Sequence, residues 1–465
     1  RVIVSYAVAD ETGRALREGA AVQALRRLFP NMPVYGGLAQ EEREAMLCAR
    51  TPALEALAVE LSEVADGRRE LGGAYAAAAA ALSADETGKQ ALLGVTRGLG
   101  DPPAKRMTGT LARALYGRPV SSVSRLETFA QCPYQHFVRY GLAPQREQQP
   151  GVDVAELGTL YHEAAERFTE AVTARPEFPE VPQAVCDRLM DEAVSPLIDA
   201  WRESPMGESK RGEAVARRIR RTAKRTARNI LSQYADSSFR PLRMEFVFGQ
   251  NGLSPIVLEL SDGTFVYLQG RIDRVDVMTG GGLRVIDYKS GARKFDPTLV
   301  YWGLQLQLLL YLAAALSRVP GSHAAGFFYC RIADPTVKTE SRIREEVEKQ
   351  IAKKLSLQGI SLSDVAILRA QGGSVASMVT KDGKPNGRYA ASMVDEAGME
   401  KLLDFAKRKA AELAGEIYRG EMDDSPVERG AFNACQNCEY SAICAFDPLR
   451  KPRRRLTAKK LDDLL

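Results

Sequence analysis

Gly270-Arg-Ile-Asp273-Arg-Val-Asp276, then Gly280-Gly-Gly282, then Val285-Ile-Asp287-Tyr-Lys289-Ser-Gly291, is the stretch that decides the reading of this chain. The β-branched flanks predict strands over Arg271–Val277 and Leu283–Tyr288, and the glycines between them predict a hairpin turn. Side chains alternate along a strand, so Asp287 and Lys289 share one face while Ile286 and Tyr288 take the other. Asp273 is expected at the end of the preceding strand, beside Asp287. Two carboxylates and a lysine at a strand end suit metal-assisted phosphodiester hydrolysis. The carboxylates hold Mg²⁺ or Mn²⁺ through hard oxygens, and the metal keeps some of its waters. It polarises the phosphate and lowers the pKa of the attacking water, while the lysine orients that water or stabilises developing charge. An isolated Asp-x-Lys is equally a surface ion pair, so the weight falls on its surroundings.

Upstream, Leu157–Val172 reads as a helix with Leu157, Leu160, Tyr161, Ala164 and Phe168 on one face. It carries His162, a candidate metal ligand. Glu245 begins the strand Met244–Phe248 and is a further candidate carboxylate for the metal, or else a solvated strand residue. Strands are also expected over Pro255–Leu260, Phe265–Leu268 and Phe327–Arg331. Downstream, Val300–Leu316 is expected to be one helix. Within it Gln307 and Tyr311 are four apart and share a face, able to satisfy the core or to face the strand pair and hold phosphate or Lys289.

Cys435-x2-Cys438-x5-Cys444 supplies three thiolates, and Cys132 stands about 300 residues earlier in Gln131-Cys132-Pro133-Tyr134. Two residues between cysteines let both sulfurs reach one metal centre, so zinc and iron–sulfur are both open, with zinc slightly favoured by residue type alone. Cys48, Cys186 and Cys330 read as ordinary buried thiols.

Lys210–Tyr234 reads as a helix whose first part, to Arg228, has nine basic residues and one acid, Glu213. The lack of interspersed acids points to DNA phosphate contacts from Arg217, Arg218, Arg221, Lys224 and Arg225. The basic stretch Arg450–Lys460 fits a DNA contact, a partner contact or a disordered tail.

The chain has 465 residues, about three domains by length alone at roughly 100–200 residues each. With 45% hydrophobic and 26% charged residues it is neither disordered nor collagen-like. Seven cysteines are too few, and odd in number, for a disulfide scaffold. No basic-then-apolar leader opens the chain, and the longest apolar run, Leu308–Leu316, falls far short of the ~20 residues that span a bilayer. A cytoplasmic protein without a membrane segment is the expectation. No Gly-x4-Gly-Lys-Ser/Thr loop occurs, so no ATP-binding phosphate loop is encoded here.

His162, Asp273, Asp287-x-Lys289 and Gln307-x3-Tyr311, in that order, resemble the RecB-family branch of the PD-(D/E)xK nucleases. The resemblance covers about residues 121–447 and implies an α/β, restriction-endonuclease-like mixed sheet flanked by helices. Cys132 with Cys435, Cys438 and Cys444 resembles the AddB group of that branch, which implies a 4Fe-4S cluster stapling the two ends of the nuclease domain. Residues 1–120 are expected to be an α-rich piece of a helicase-like domain, with an early strand over Val2–Tyr6, helices over Gly19–Leu28 and Gln40–Val64, and a break at Gly98–Pro103. Residues 335–400 are expected to be an insertion with its own helix, Ser341–Leu355, and 448–465 a basic tail. The resemblance further implies a C-terminal segment of a longer subunit that pairs with an AddA-type helicase–nuclease. Such a pair resects double-strand DNA breaks for recombination, the subunit cutting the strand of 5′ polarity. The alternatives are a stand-alone RecB-like iron–sulfur exonuclease, a nuclease-inactive DNA-binding scaffold and, last, a zinc-stapled structural module.

Overall fold

The computed structural model describes residues 4–7, 15–31, 44–65, 67–99, 105–145, 154–203, 209–250, 253–338, 343–430, 432–444, 446–448 and 451–465. The chain divides into two compact units, 1–103 and 104–465. In the first, α1 (Ala20–Leu28), α2 (Arg50–Ala65), the alanine-rich α3 (Gly73–Leu82) and α4 (Glu86–Leu99) are helical. Ala53, Leu57, Tyr75 and Leu82 form its small core. The expected strand over Val2–Tyr6 is not seen: residues 4–7 have no regular structure, and residues 2 and 3, like most of the Gly98–Pro103 break, lie outside the described residues.

The larger unit starts earlier than the expected residue 121. Helix α5 (Gly109–Tyr116) opens it, then β1 (Val120–Ser122) and α6 (Val123–Gln131). Helices α7 (Val154–Thr173), α8 (Gln183–Arg202) and α9 (Lys210–Ala235) follow. Strands β2 (Phe239–Phe248), β3 (Ile256–Glu259), β4 (Phe265–Met278) and β5 (Gly282–Lys289) come next. Then come α10 (Pro297–Tyr301), α11 (Gln307–Arg318), β6 (His323–Arg331), α12 (Arg344–Lys354), β7 (Gln358–Leu362), α13 (Val365–Gln371), β8 (Met393–Val394) and α14 (Glu396–Arg419). Short strands β9 (Val427–Arg429), β10 (Phe432–Asn433) and β11 (Arg454–Arg455) close the chain. The segment before β1 belongs here because Met107 N–H donates to Gly420 O at 3.0 Å and Tyr116 packs edge-on against Tyr418 of α14. Among the described residues no helix is long and apolar enough to cross a membrane.

The main sheet runs β1-β4-β5-β6-β7-β8, with β2 and β3 also pairing with β4. The β4–β5 hairpin is antiparallel, while β5 and β6 are parallel and joined across one face by α11. Helices α6, α11 and α14 cover that face through Leu126, Leu309, Leu312, Leu402 and Leu413. Helices α7, α8 and α9 cover the other through Phe168, Ile198, Ile219 and Ile230. Val285 points to the first layer, and Ile286 and Tyr288 to the second. This double burial is why β5 reads as a continuous apolar run.

Several expectations are corrected. Phe265–Leu268 and Arg271–Val277 are one strand, because Gly270 continues the ladder and its bare Cα admits the Phe248 ring, 2.8 Å from where a Cβ would stand. The single helix expected over Val300–Leu316 is two, α10 and α11. They part at Gly303, whose φ of +77° suits glycine and whose Cβ would lie 2.7 Å from Leu413. The segment 335–400, expected as an insertion with its own helix, holds α12 and also adds β7 and β8 to the sheet edge. Helix α8 has no clear signal in the sequence; Pro196 and interspersed charges mask its apolar stripe of Met190, Ala193, Val194 and Ile198. The basic stretch near the C-terminus is folded onto the unit: β11 pairs with β9, Trp302 Nε1 donates to Thr457 O at 3.2 Å, and Lys459 lies over the Tyr301 ring.

Beneath the second helical layer Asp276 is shared by Arg274 (3.1 Å) and Arg284 (2.8 Å), all three fully buried, and Tyr234 OH donates to its other oxygen at 2.9 Å. Such a group is costly to break, because removing one partner leaves a buried charge uncompensated.

Candidate active site

The β4–β5 register sets Arg274 opposite Ile286 and so brings Asp273 level with Asp287. Asp273 lies within β4 rather than at a strand end, and Tyr288 N–H donates to its Oδ2 at 2.7 Å. From α7, His162 Nδ1 stands 3.3 Å from the same oxygen. On β5, Lys289 Nζ is 2.6 Å from Asp287 Oδ2 and donates to Gln307 Oε1 at 3.1 Å. Gln307 Nε2 in turn donates to Tyr311 OH at 3.1 Å. Gln307 and Tyr311 thus face the strand pair, held in an unbroken polar line to Asp287. The division into α10 and α11 puts Gln307 at the start of a helix, aimed at the lysine.

Glu245 stands in β2 between the pairs Met244–Arg274 and Phe246–Ile272, which sets it across from Asp273. Its φ of +48° is unusual for a residue with a side chain, and such outliers gather at functional sites. Arg271 ion-pairs with it. Glu166 on α7 was missed in the sequence. It acts electrostatically on Glu245, and its spacing of four from His162 was the available signal.

The acids are crowded in a poorly solvated place. Burial pushes Asp287 up to about 6, and the neighbouring Asp273 adds to this while Lys289 opposes it. Burial pushes Glu245 up to about 7, against the pull of Arg271. Burial alone would lower the His162 pKa, but the hydrogen bond and charge of Asp273 outweigh it and the net shift is upward. Asp287 Oδ2 and Glu245 Oε2 are buried, and beyond their ion pairs they receive no hydrogen bond. Excess negative charge in low dielectric with orphaned carboxylate oxygens is what a hard divalent cation relieves. Asp273, Asp287, Glu245 and His162 therefore have the chemistry to hold one. Among the described residues no three such side chains are drawn into a formed ion site.

Cys132 follows α6, and Cys435, Cys438 and Cys444 lie between β10 and the chain's last strand. Cys438 and Cys444 act electrostatically on Cys132, and Cys435 on Cys438, but among the described residues no three cysteines are drawn into a formed metal site. Burial pushes the Cys132 thiol up to about 11. The two chain segments are joined here by direct hydrogen bonds: Tyr134 N–H donates to Asp423 O (3.1 Å), Arg454 Nη2 to Ala130 O (2.7 Å), and Lys105 Nζ to Asp424 (2.9 Å). Cys186 and Cys330 are buried apart from this group, as expected, whereas Cys48 is exposed.

The basic helix α9 is only partly free. Arg221 and Arg225 ion-pair with Asp334, Arg225 also with Glu348, and Lys224 with Asp191. The acids missing from the helix itself are supplied by its neighbours. Arg217 and Arg218 remain exposed.

Residues 120–445 match the sequence profile of the PD-(D/E)XK nuclease superfamily. The chain is similar to the B-type subunit of the ATP-dependent helicase/deoxyribonuclease of Alkaliphilus metalliredigens, 31% identical over 466 residues, covering 96% of this chain and 40% of the relative. The protein of the same name from Clostridium tetani is 31% identical over 485 residues, 99% of this chain and 42% of the relative. That of Moorella thermoacetica is 33% identical over 472 residues, 96% and 40%. The chain thus spans about two fifths of the length of these curated relatives.

Proposed function

The chain belongs to the PD-(D/E)XK nuclease superfamily, and on that footing we propose that residues 104–465 are a metal-dependent deoxyribonuclease, the nuclease part of a helicase–nuclease subunit. The observation that carries this reading is the convergence of Asp273, Asp287 and Lys289, with a buried Asp287 oxygen left to its ion pair alone. Asp273 and Asp287, with Glu245 and His162 beside them, would hold Mg²⁺ or Mn²⁺. When bound, such an ion polarises the scissile phosphate and lowers the pKa of its water. Lys289 orients the attacking water and offsets charge developing on the phosphate. Gln307 holds the lysine, and Tyr311 holds Gln307.

By resemblance the DNA substrate is a broken duplex end, digested exonucleolytically on the strand of 5′ polarity beside an AddA-type partner, in recombinational repair. Cys132, Cys435, Cys438 and Cys444 would hold a 4Fe-4S cluster that staples the domain's ends. In linear DNA degradation by the full-length subunit with its partner, product release should stop in chelator and return with Mg²⁺ or Mn²⁺. Undiminished cutting in chelator refutes the metal-dependent reading.

Arg217 and Arg218 are the helix residues we assign to DNA phosphates. Replacing both with Ala should lower the salt-dependence slope of DNA binding by roughly one for each phosphate partner removed. Replacing Arg221, whose own side chain is exposed, should instead cost about 0–1 kcal/mol of stability, and replacing the half-buried Arg225 more, both leaving the slope nearly unchanged. Equal slopes for the first variant and the parent return α9 to a solvated surface.

A further inference from the structure

Glu127 takes part neither in the metal-holding set nor in the cysteine site. Its carboxylate crosses from α6 to the start of α11, where one oxygen, Oε1, accepts from Leu306 N–H at 2.8 Å and from Gln307 N–H at 3.0 Å. The first N–H groups of a helix have no partner inside it, and the N-cap residue Leu306 offers no side-chain acceptor. A carboxylate at this end also meets the positive pole of the helix. Glu127 thus caps, from 180 positions away in sequence, the helix that carries Gln307.

The turn being capped is the one that matters to the lysine. Gln307 is the first residue of α11, and its side chain receives Lys289 Nζ at 3.1 Å. Lysine has a flexible four-carbon stem and no fixed direction of its own. A fraying first turn would move Gln307 and release Lys289 from one of its two anchors, leaving only Asp287. Helix α6 is a firm platform for the cap, with Leu126, Phe129 and Ala130 buried. Ala130 O is moreover tied to Arg454.

We propose that Glu127 is a positioning residue for Lys289, acting through the N-terminus of α11 and the side chain of Gln307. The inference rests on the nuclease reading and deepens it. Cutting of the 5′-polarity strand of linear DNA, end-labelled on that strand, by the full-length subunit with its partner tests it, with Lys289→Ala run alongside. Glu127→Ala should lower kcat about 10²-fold, the size of loss an ångström of misplacement produces, with KM for DNA little changed. Glu127→Gln keeps an acceptor oxygen and should recover most of that loss. In a Gln307→Ala background Glu127→Ala should cost less than about twofold more, because residues acting in one line are not additive.

If Glu127→Ala does not fold, Glu127→Asp keeps the carboxyl group but pulls it back by one methylene, and should show the kcat loss at a near-parental melting temperature. Parental kcat for a folded Glu127→Ala or Glu127→Asp variant, with Lys289→Ala dead, overturns the role of Glu127. So does a full multiplicative loss in the double variant. Cutting by Lys289→Ala at the parental rate overturns the nuclease reading itself.

Discussion

Asp287→Ala and Lys289→Ala are each expected to reduce hydrolysis of the strand assigned to this subunit by about 10³-fold or more, since each removes charge placed where the transition state needs it. DNA binding should persist, because phosphate contacts elsewhere carry it. Stability should move the other way for the acid. Asp287 is 1% exposed, and burial together with Asp273 raises its pKa to about 6. For a carboxyl raised in the folded state, the contribution to stability is complete below its unfolded pKa of roughly 3.9 and is lost as pH rises through the folded value. At neutral pH the charged Asp287 therefore costs stability when no cation is present. Asp287→Asn in chelator should melt at a higher temperature than the parent, with the gap closing as pH falls from 7 towards 4. Saturating Mg²⁺ should stabilise the parent more than the variant. A dead variant with an unchanged pH–stability profile would falsify the electrostatic account of the site, and a fully active one the catalytic account.

Replacing Cys132 or Cys438 with serine should produce the largest loss of stability. A centre joining Cys132 to Cys435 closes a loop of about 300 residues, and on the chain-entropy scale for cross-links such a closure contributes about 5–6 kcal/mol. Without it the cysteine-bearing segments would be held by local contacts, among them the hydrogen bonds of Tyr134, Arg454 and Lys105 and the ion pairs of Lys451. Anaerobically purified parent should contain roughly four iron atoms per chain. Either serine variant should lose them, and limited proteolysis should then open the segment between Cys435 and Cys444. Serine at Cys186 or Cys330 should leave the iron content unchanged. Zinc in place of iron, or iron retained in the Cys132 variant, rules out the four-cysteine cluster.

The chemistry of this chain was more legible in its sequence than its architecture. Asp287-x-Lys289 and Gln307-x3-Tyr311 each encode a shared face through local periodicity, and the structure joins the two pairs, one of the two arrangements the spacing left open. Asp273 was assigned to the right neighbour but to the wrong place along its strand, because Gly270 reads as a break when its role is to admit Phe248. The cap made by Glu127 had no local signature, since its partners lie 179 and 180 residues away. The basic face of α9 looked unpaired for a related reason: Asp191, Asp334 and Glu348 come from other elements. The short strands β7 and β8 are fixed by pairing at the sheet edge more than by their own residues, a case of tertiary context overriding propensity.

Strand β4 is 14 residues long, about 46 Å, and pairs with β1, β2, β3 and β5. Its amides around Asp273 can exchange with solvent only when several ladders part together, so their opening energy should approach that of global unfolding. The carboxylate is thus carried by a strand paired on both sides, with β2 and β5. His162 reaches it from α7 through one side-chain contact, and Gln307 reaches Lys289 from α11 through another. Compliance in this site therefore belongs to the helices. On the proposed nuclease reading, side-chain play at His162 and Gln307 should exceed that of Asp273, which hydrogen exchange of the surrounding amides would register.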